Sequence, residues 1–271
     1  MKKSIIILVS LFIIVGCKSD VSSTLVEEKY KQFDYKTSTR DKDHLLGYDI
    51  ELFKETKAWD LAKAVYEQDT ITVRKICLND SALLSIKEPK FGFSLLEWSI
   101  FNNRYYSAKK LLECGANPNT KDYVNGSSMM LAAFENDSTY LYLLLKYKGD
   151  PNEQTAKGTV LKMAASNTLA NVKMLVNAGA NSNDINALAH SCLSQKIDIT
   201  EYLIINCKAD FNQLFYVDKN YKPLNSYTLI KNIEVIQGTE LEKKKMNLLR
   251  YIREHGADTT TTEFEEIKPN N

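Results

Sequence analysis

The chain has 271 residues, of which 44% are hydrophobic and 25% are charged. This composition is ordinary for a globular protein, and the length suffices for one sizeable domain or an elongated array. The 35 Lys and Arg residues almost balance the 34 Asp and Glu residues. Because there is no overall basic excess, the composition argues against nucleic-acid binding.

The first 17 residues have the layout of a secretory signal. Lys2 and Lys3 precede an apolar run over residues 5–15, and small residues follow it. A helix that spans a membrane needs roughly 20 apolar residues, so this run is too short for a permanent span. We therefore expect residues 1–16 to be a signal peptide.

Residues 14–17, Ile-Val-Gly-Cys, resemble the lipobox of bacterial lipoproteins. The resemblance implies that the chain is cut before Cys17 and that acyl groups on Cys17 anchor it in a membrane. Lys18 follows, and by resemblance to enterobacterial lipoproteins it favours the outer membrane, with the protein facing the periplasm of the cell envelope. The alternative is an ordinary cleaved signal in which Cys17 is incidental. Residues 17–43 are polar and are predicted to be a flexible tether.

A pattern of about 30 residues then recurs along the chain. Each well-preserved copy has a small-residue pair, such as Ala132-Ala133 or Ala164-Ala165, then a Leu-rich stretch and a closing turn. The turns read Gly-Ala-Asn-Pro-Asn at 115–119, Gly-Asp-Pro-Asn at 149–152 and Gly-Ala-Asn-Ser-Asn at 179–183. This pattern resembles ankyrin repeats, and weaker copies extend the likeness to roughly residues 58–258.

The resemblance implies an all-α ankyrin-repeat solenoid of about six helix-turn-helix units over residues 44–258, followed by a polar tail at 259–271. We expect the small pairs to let first helices approach closely, and the closing glycines, Gly149 among them, to adopt left-handed backbone. The usual Thr-Pro-Leu-His start is replaced by Ser-Leu-Leu-Glu at 94–97 and Ser-Met-Met-Leu at 128–131. This replacement predicts weaker hydrogen bonding at the start of those helices.

No motif for catalysis, a metal or a cofactor is found, and we predict that the chain is not an enzyme. The three histidines are not spaced to share a metal ion, and His255 beside the last turn is predicted to be structural. Four further cysteines fall in apolar helical stretches. We favour buried free thiols, although an exported chain could form disulfides. These cysteines are Cys77, Cys114, Cys192 and Cys207.

A binding surface is the remaining candidate site, and ankyrin proteins usually bind partners along the concave side formed by hairpin tips and first helices. Aromatic and arginine side chains dominate binding energies, which makes the second repeat the favoured centre. The alternative is that Trp98, Tyr105 and Tyr106 pack between repeats. The predicted contact residues are Phe91, Trp98, Asn102, Arg104, Tyr105, Tyr123, Val124, Glu135 and Asn136.

Two runs, residues 52–65 and 94–105, are similar to ankyrin lipoproteins that act as immunity proteins against phospholipase effectors of type VI secretion. That resemblance implies a membrane-anchored protein, monomeric when free, that binds and occludes a secreted lipase. Because a fold alone licenses only protein binding, an envelope scaffold without a toxin partner is the alternative.

Overall fold

The computed structural model describes residues 45–124, 126–215 and 223–259. The predicted signal peptide and tether at residues 1–43, and the predicted tail beyond Thr259, lie outside these residues. The described part contains twelve α-helices, which form six consecutive pairs. The first helices are α1 (Trp59–Tyr66), α3 (Leu95–Phe101), α5 (Ser128–Phe134), α7 (Val160–Ala165), α9 (Ile185–Leu193) and α11 (Ser226–Lys231).

The second helices of the pairs lie along the opposite side of the stack. They are α2 (Thr70–Asn79), α4 (Tyr105–Glu113), α6 (Thr139–Lys146), α8 (Leu169–Asn177), α10 (Ile197–Glu201) and α12 (Glu240–Glu254). Helix α10 continues into a π-helical turn at Tyr202–Asn206, and 3₁₀ turns occur at Ile50–Phe53 and Ser81–Ser85. This arrangement confirms the predicted all-α solenoid of six units.

Short hairpins connect successive units. Strands β1 (Gln154–Thr155) and β2 (Gly158–Thr159) pair antiparallel, with Gln154 opposite Thr159 and Thr155 opposite Gly158. Isolated antiparallel bridges close the corresponding hairpins at Lys87–Ser94, Lys121–Ser127 and Phe215–Leu224. The hairpins that end at Ser94, Ser127 and Thr159 end directly before the next first helix, and Leu224 lies two residues before α11.

The first helices begin with well-formed caps, contrary to the weaker starts predicted from the sequence. The hydroxyl groups of Ser94, Ser127 and Thr159 each accept a hydrogen bond from the backbone N–H three residues later, and Ser94 and Glu97 form a complete capping box. The start motif of α5 lies one residue earlier than predicted, because Ser127 and not Ser128 is its cap. Ser and Thr therefore supply the cap that the ankyrin pattern needs.

Gly149 was predicted to adopt a left-handed backbone, and that prediction is wrong. The left-handed residue is Lys148, with φ of 68°, at the position where other units have Gly115 and Gly179. Gly149 instead matches the alanine that follows those glycines. A Cβ atom on it would lie 2.5 Å from Met129 Sδ and 3.0 Å from the Leu144 carbonyl oxygen, so close packing requires glycine there.

The closing turns of neighbouring units are joined by asparagine side chains. Asn119 Oδ1 accepts from the Asp150 N–H at 2.7 Å, while its Nδ2 donates to the Lys148 carbonyl at 3.2 Å. Asn152 repeats both bonds one unit later, with Asn181 N–H at 2.8 Å and the Gly179 carbonyl at 2.9 Å. The recurring Asn of the turn therefore serves to connect units.

The core runs continuously between the two rows of helices. The small pairs Ala132-Ala133 and Ala164-Ala165 are fully buried, as predicted. At the amino-terminal end, residues 45–53 pack against the first units and bury Leu45, Leu52 and Phe53. Because each unit leaves apolar flanks that only its neighbours cover, stability depends on stacking.

Candidate protein-binding surface

The side of the stack formed by hairpins and first helices carries a row of exposed apolar side chains. The last residue of α3 is Phe101 and the last residue of α5 is Phe134, and they are 47% and 51% exposed. The last residue of α9, Leu193, is also exposed. Since these residues occupy equivalent positions in their units, stacking places them along one line.

The hairpin tips extend this apolar surface. Tyr123 and Val124, both predicted contact residues, are exposed at the tip of the second hairpin. The Tyr123 N–H donates to the Phe91 carbonyl at 2.9 Å. The Tyr123 ring covers Gly92, where a Cβ atom would lie 2.6 Å from it. Gly92 therefore allows Tyr123 to lie across the first hairpin.

A chain of ring contacts links the first hairpin to α3. Phe91, another predicted contact residue, is half-buried and stacks on Phe93 with ring centroids 5.7 Å apart. Phe93 in turn lies 5.8 Å from the Phe101 ring. The three rings form one continuous aromatic strip from the hairpin to the end of the helix.

Trp98 was predicted to bind a partner, and its position contradicts that prediction. Its side chain is 0% exposed and its ring lies 6.3 Å from that of Tyr66. Asn102, also predicted to be a contact residue, is buried and donates from Nδ2 to the carbonyl groups of Gly47 and Trp98, at 3.3 and 2.9 Å. The amino-terminal segment thus packs against α3, and both side chains belong to the interior.

Arg104 and Tyr105 lie at the junction between the first units. The Arg104 guanidinium lies 4.8 Å from the Tyr66 ring centroid. The Tyr105 ring contacts those of Tyr106 and Tyr140, at 5.6 and 6.0 Å, and burial raises its pKa. Both side chains are half-buried, so they combine packing between units with limited access from solvent.

Glu135 and Asn136, the remaining predicted contact residues, are exposed just beyond α5. Their backbone is held in place from the next unit, because Asn171 donates from Nδ2 to the carbonyl groups of Ala133 and Glu135, at 3.1 and 2.7 Å. These two polar side chains therefore border the exposed ring of Phe134 on a fixed loop.

Buried carboxylates support the hairpins from beneath. Glu88 accepts hydrogen bonds from the backbone N–H groups of Lys90, Phe91 and Phe93, at 2.7 to 3.1 Å. Burial raises the pKa of Glu97 to about 7 and also raises that of Glu153, which accepts from the Ser127 hydroxyl at 2.8 Å. These carboxylates therefore hold the hairpins from beneath by hydrogen bonds.

The cysteines in the described part of the chain are free thiols, as favoured from the sequence. Cys77 and Cys192 are buried, and burial raises the pKa of each to about 12, whereas Cys114 and Cys207 are half-buried. The His255 ring stacks on Tyr251 with centroids 4.0 Å apart, in agreement with a structural role. Within the described ranges no cluster of His, Cys, Asp and Glu could hold a metal ion.

Phe101, Phe134 and Leu193 were not among the residues predicted from the sequence. The missing signal was the repeat register counted from the capping residues. Phe101 and Phe134 each lie seven residues after a serine cap, at Ser94 and Ser127. The predicted contact residues were taken from hairpin tips and first-helix positions, and the last residues of the first helices were not among them.

Comparison with known proteins agrees with this geometry. Residues 129–214 match the family model for ankyrin repeats in three copies. The chain is similar to the crystal structure of the ankyrin repeat domain of Bcl-3, a unique member of the IkappaB protein family. The TM-score is 0.59 and the identity 18%, and the match covers 74% of this chain and 87% of that one. No curated protein sequence matches.

The fold is therefore an ankyrin-repeat solenoid, and its repeats form a protein–protein interaction module. Ankyrin-repeat folds are typically non-catalytic protein-interaction scaffolds. No helix among residues 45–124, 126–215 and 223–259 is long and apolar enough to span a membrane.

Proposed function

We propose that the chain is a lipid-anchored protein of the bacterial envelope that binds and neutralises a secreted antibacterial effector of the phospholipase type. The observation that carries the binding part is the exposed apolar row of Phe101, Phe134 and Leu193 beside the hairpin residues Tyr123 and Val124. The row is interrupted in the fourth unit, where the equivalent residue is Ser166. Clusters of exposed apolar side chains are characteristic of protein-interaction sites. The immunity role and the anchor rest on the sequence resemblances described above.

The chemistry of this surface suits an apolar partner. Helices α5 and α9 contain no Asp, Glu, Lys or Arg, and the one carboxylate of α3, Glu97, is buried. Large aromatic side chains supply contact area at a small cost in side-chain entropy, whereas charged side chains are depleted at interface centres. A lipase exposes apolar surface around its substrate entrance, and covering that entrance would block catalysis without any chemistry by the inhibitor.

Growth protection tests the function directly. The candidate partner to test is any secreted lipase that is encoded next to this chain. In the assay that lipase is directed to the periplasm of a test bacterium. Co-expression of the full chain is expected to restore growth, and the purified chain is expected to inhibit the lipase in vitro. A chain that neither binds nor inhibits the lipase, and leaves growth arrested, would favour the alternative of an envelope scaffold.

Matched variants test the surface. Phe134→Ser removes one ring of the apolar row, and truncation of a central contact residue typically weakens binding by at least roughly tenfold. Ile236→Ser is the control, because Ile236 is 78% exposed but follows α11 at the far end of the stack. Equal affinities of the two variants for the lipase, at unchanged melting temperatures, would exclude the apolar row as the binding site.

The anchor is tested separately at Cys17. Metabolic labelling with an alkyne fatty acid is expected to mark the full chain, and Cys17→Ser is expected to lose both the label and the membrane fraction. The same substitution should weaken growth protection while leaving inhibition in solution intact, because the anchor raises the local concentration of the inhibitor. Labelling that persists in Cys17→Ser would place the acyl group elsewhere.

A further inference from the structure

The outer side of the solenoid differs in charge from the inner side. The first four of its helices, α2, α4, α6 and α8, contain one carboxylate, Glu113, and six basic residues, whereas α10 carries Asp198 and Glu201. Glu113 is paired with Lys110 of the same helix. The net charge of the whole chain is only +1, so this is a local concentration of positive charge. The basic residues are Arg74, Lys75, Lys109, Lys110, Lys146 and Lys173.

Two aliphatic side chains project from α2, at the amino-terminal end of this basic surface. Ile71 is 81% exposed and Leu78 is 76% exposed, and both lie on α2. They are seven residues apart, which is two helical turns, so they share one face of the helix. Arg74 and Lys75 lie between them in sequence and are also exposed. The stripe therefore alternates aliphatic and cationic groups.

The acidic residues at the ends of α2 bind backbone groups and not the cations of this stripe. Asp69 accepts from the backbone N–H groups of Ile71 and Thr72, at 3.2 and 3.0 Å. Asp80 accepts from the Ala82 N–H at 3.0 Å. Lys110 of α4, which is paired with Glu113, lies across a shallow groove from Ile71 and Leu78.

We infer that the outer face of α2 and α4 is a membrane-contact surface that lies on anionic phospholipid. The inference rests on the proposed attachment to a membrane. Exposed aliphatic side chains flanked by Lys and Arg are the composition of segments that lie in a lipid interface. A protein partner is disfavoured, because lysine is depleted at the centre of protein interfaces. This contact would leave the apolar row on the opposite side free for the effector.

Quenching of tryptophan by brominated lipid tests the contact. The full chain, acylated as isolated from the envelope, is reconstituted into vesicles of phosphatidylethanolamine and phosphatidylglycerol with brominated acyl chains. Ile71→Trp places the probe in the stripe, and Ile236→Trp is the matched control at a similarly exposed position. Quenching of the Ile71→Trp chain is expected to exceed that of the parent chain. Quenching of the Ile236→Trp chain is expected to match that of the parent chain.

Charge reversal separates the electrostatic contribution. In the Ile71→Trp background, Arg74→Glu with Lys75→Glu is expected to abolish quenching, as are high salt and vesicles of phosphatidylcholine alone. The control pair Lys231→Glu with Arg250→Glu changes the charge equally in the last unit and should leave quenching unchanged. Circular dichroism confirms that each variant is folded.

The outcomes distinguish this inference from the proposed function. A chain that fails to float with vesicles refutes the membrane attachment itself. If the chain floats but the probes at positions 71 and 236 are quenched equally, the inferred contact surface is wrong and the membrane attachment stands. Loss of effector binding in Arg74→Glu with Lys75→Glu, without any quenching at position 71, would assign this face to an acidic protein surface and would also overturn the inference.

Discussion

Glu97 occupies the fourth position of its helix-start motif, where the ankyrin pattern has histidine. Its Oε2 accepts from the Ser94 N–H at 3.0 Å and from the Ser94 hydroxyl at 3.1 Å. The carboxyl group is nevertheless buried beneath the first hairpin, and burial raises its pKa from 4.5 to about 7. Replacement of the pattern's histidine by Glu97 therefore introduces a carboxyl group that titrates near neutral pH.

The raised pKa of Glu97 predicts a pH-dependent stability. Between pH 4.5 and 7 the folded state binds more protons at this residue than the unfolded state does, so the free energy of unfolding falls as pH rises through that window. Glu97→Gln keeps an acceptor for the Ser94 N–H and carries no charge. We expect the free energy of unfolding of the variant to match that of the parent chain at pH 4 and to exceed it by about 3 kcal/mol at pH 8.

Denaturant unfolding of both proteins across this pH range measures the effect. Glu135→Gln is the control, because Glu135 is exposed on the loop after α5. The difference between Glu97→Gln and the parent chain must grow with pH, whereas that for Glu135→Gln must stay constant. A constant difference for both would mean that folding does not shift the pKa of Glu97.

Lys148 and Gly149 occupy the closing-turn positions where other units have glycine followed by alanine. We therefore expect glycine to stabilise position 148 and alanine to destabilise position 149. Lys148→Gly relieves a left-handed backbone and is expected to stabilise the chain by up to about 1 kcal/mol. Gly149→Ala forces a methyl group towards Met129 Sδ and the Leu144 carbonyl, which is expected to cost about 1 to 3 kcal/mol. Thermal unfolding distinguishes the two. Destabilisation by Lys148→Gly together with tolerance of Gly149→Ala would restore the register that was first predicted.

At the scale of the elements, the helix pairs were predictable because their signals are local. Small pairs such as Ala132-Ala133, Leu-rich second helices and closing turns recur within a single repeat. The burial of Trp98 was not predictable in this way. The Trp98 ring packs against Tyr66, which belongs to the weakly preserved first copy of the repeat. Asn102 of the same unit donates to Gly47, in an amino-terminal segment that carries no repeat signal. Of the predicted contact residues, Tyr123 and Val124 are exposed at the hairpin tip, whereas Trp98 at the centre of α3 is buried.

The asparagine bonds between closing turns give the prediction at this scale. Asn152→Ala removes the bonds from Asn152 to Asn181 N and to the Gly179 carbonyl, so it leaves two backbone groups without those partners. Water reaches this exposed turn, and the expected loss is therefore about 1 kcal/mol. Asn136→Ala, at an exposed position beyond α5, is the control. Equal unfolding midpoints for the two variants would show that the turns contribute nothing to the stacking of units.

At the scale of the whole molecule, the stack behaves as a row in which each unit supports only its neighbours. Helix α5 contacts α3 on one side and α7 on the other, and Ala132-Ala133 lie fully buried in that row. The two sides of the row also carry different surfaces, apolar towards the hairpins and basic along α2, α4, α6 and α8. Both surfaces depend on the continuity of the row, so damage to a central unit affects binding at a distance.

Ala133→Asp tests this continuity. The substitution buries a carboxylate with no partner between α5 and its neighbours, and the expected loss is at least about 3 kcal/mol of unfolding free energy. Hydrogen exchange should show the amide groups of α5 and α7 losing protection first, while those of α11 and α12 keep theirs, because stacking energy is local. Ala170→Asp, at an exposed position in the first turn of α8, is the control and should change neither quantity. Uniform loss of protection from α1 to α12 would instead show that the six units unfold as a single cooperative body.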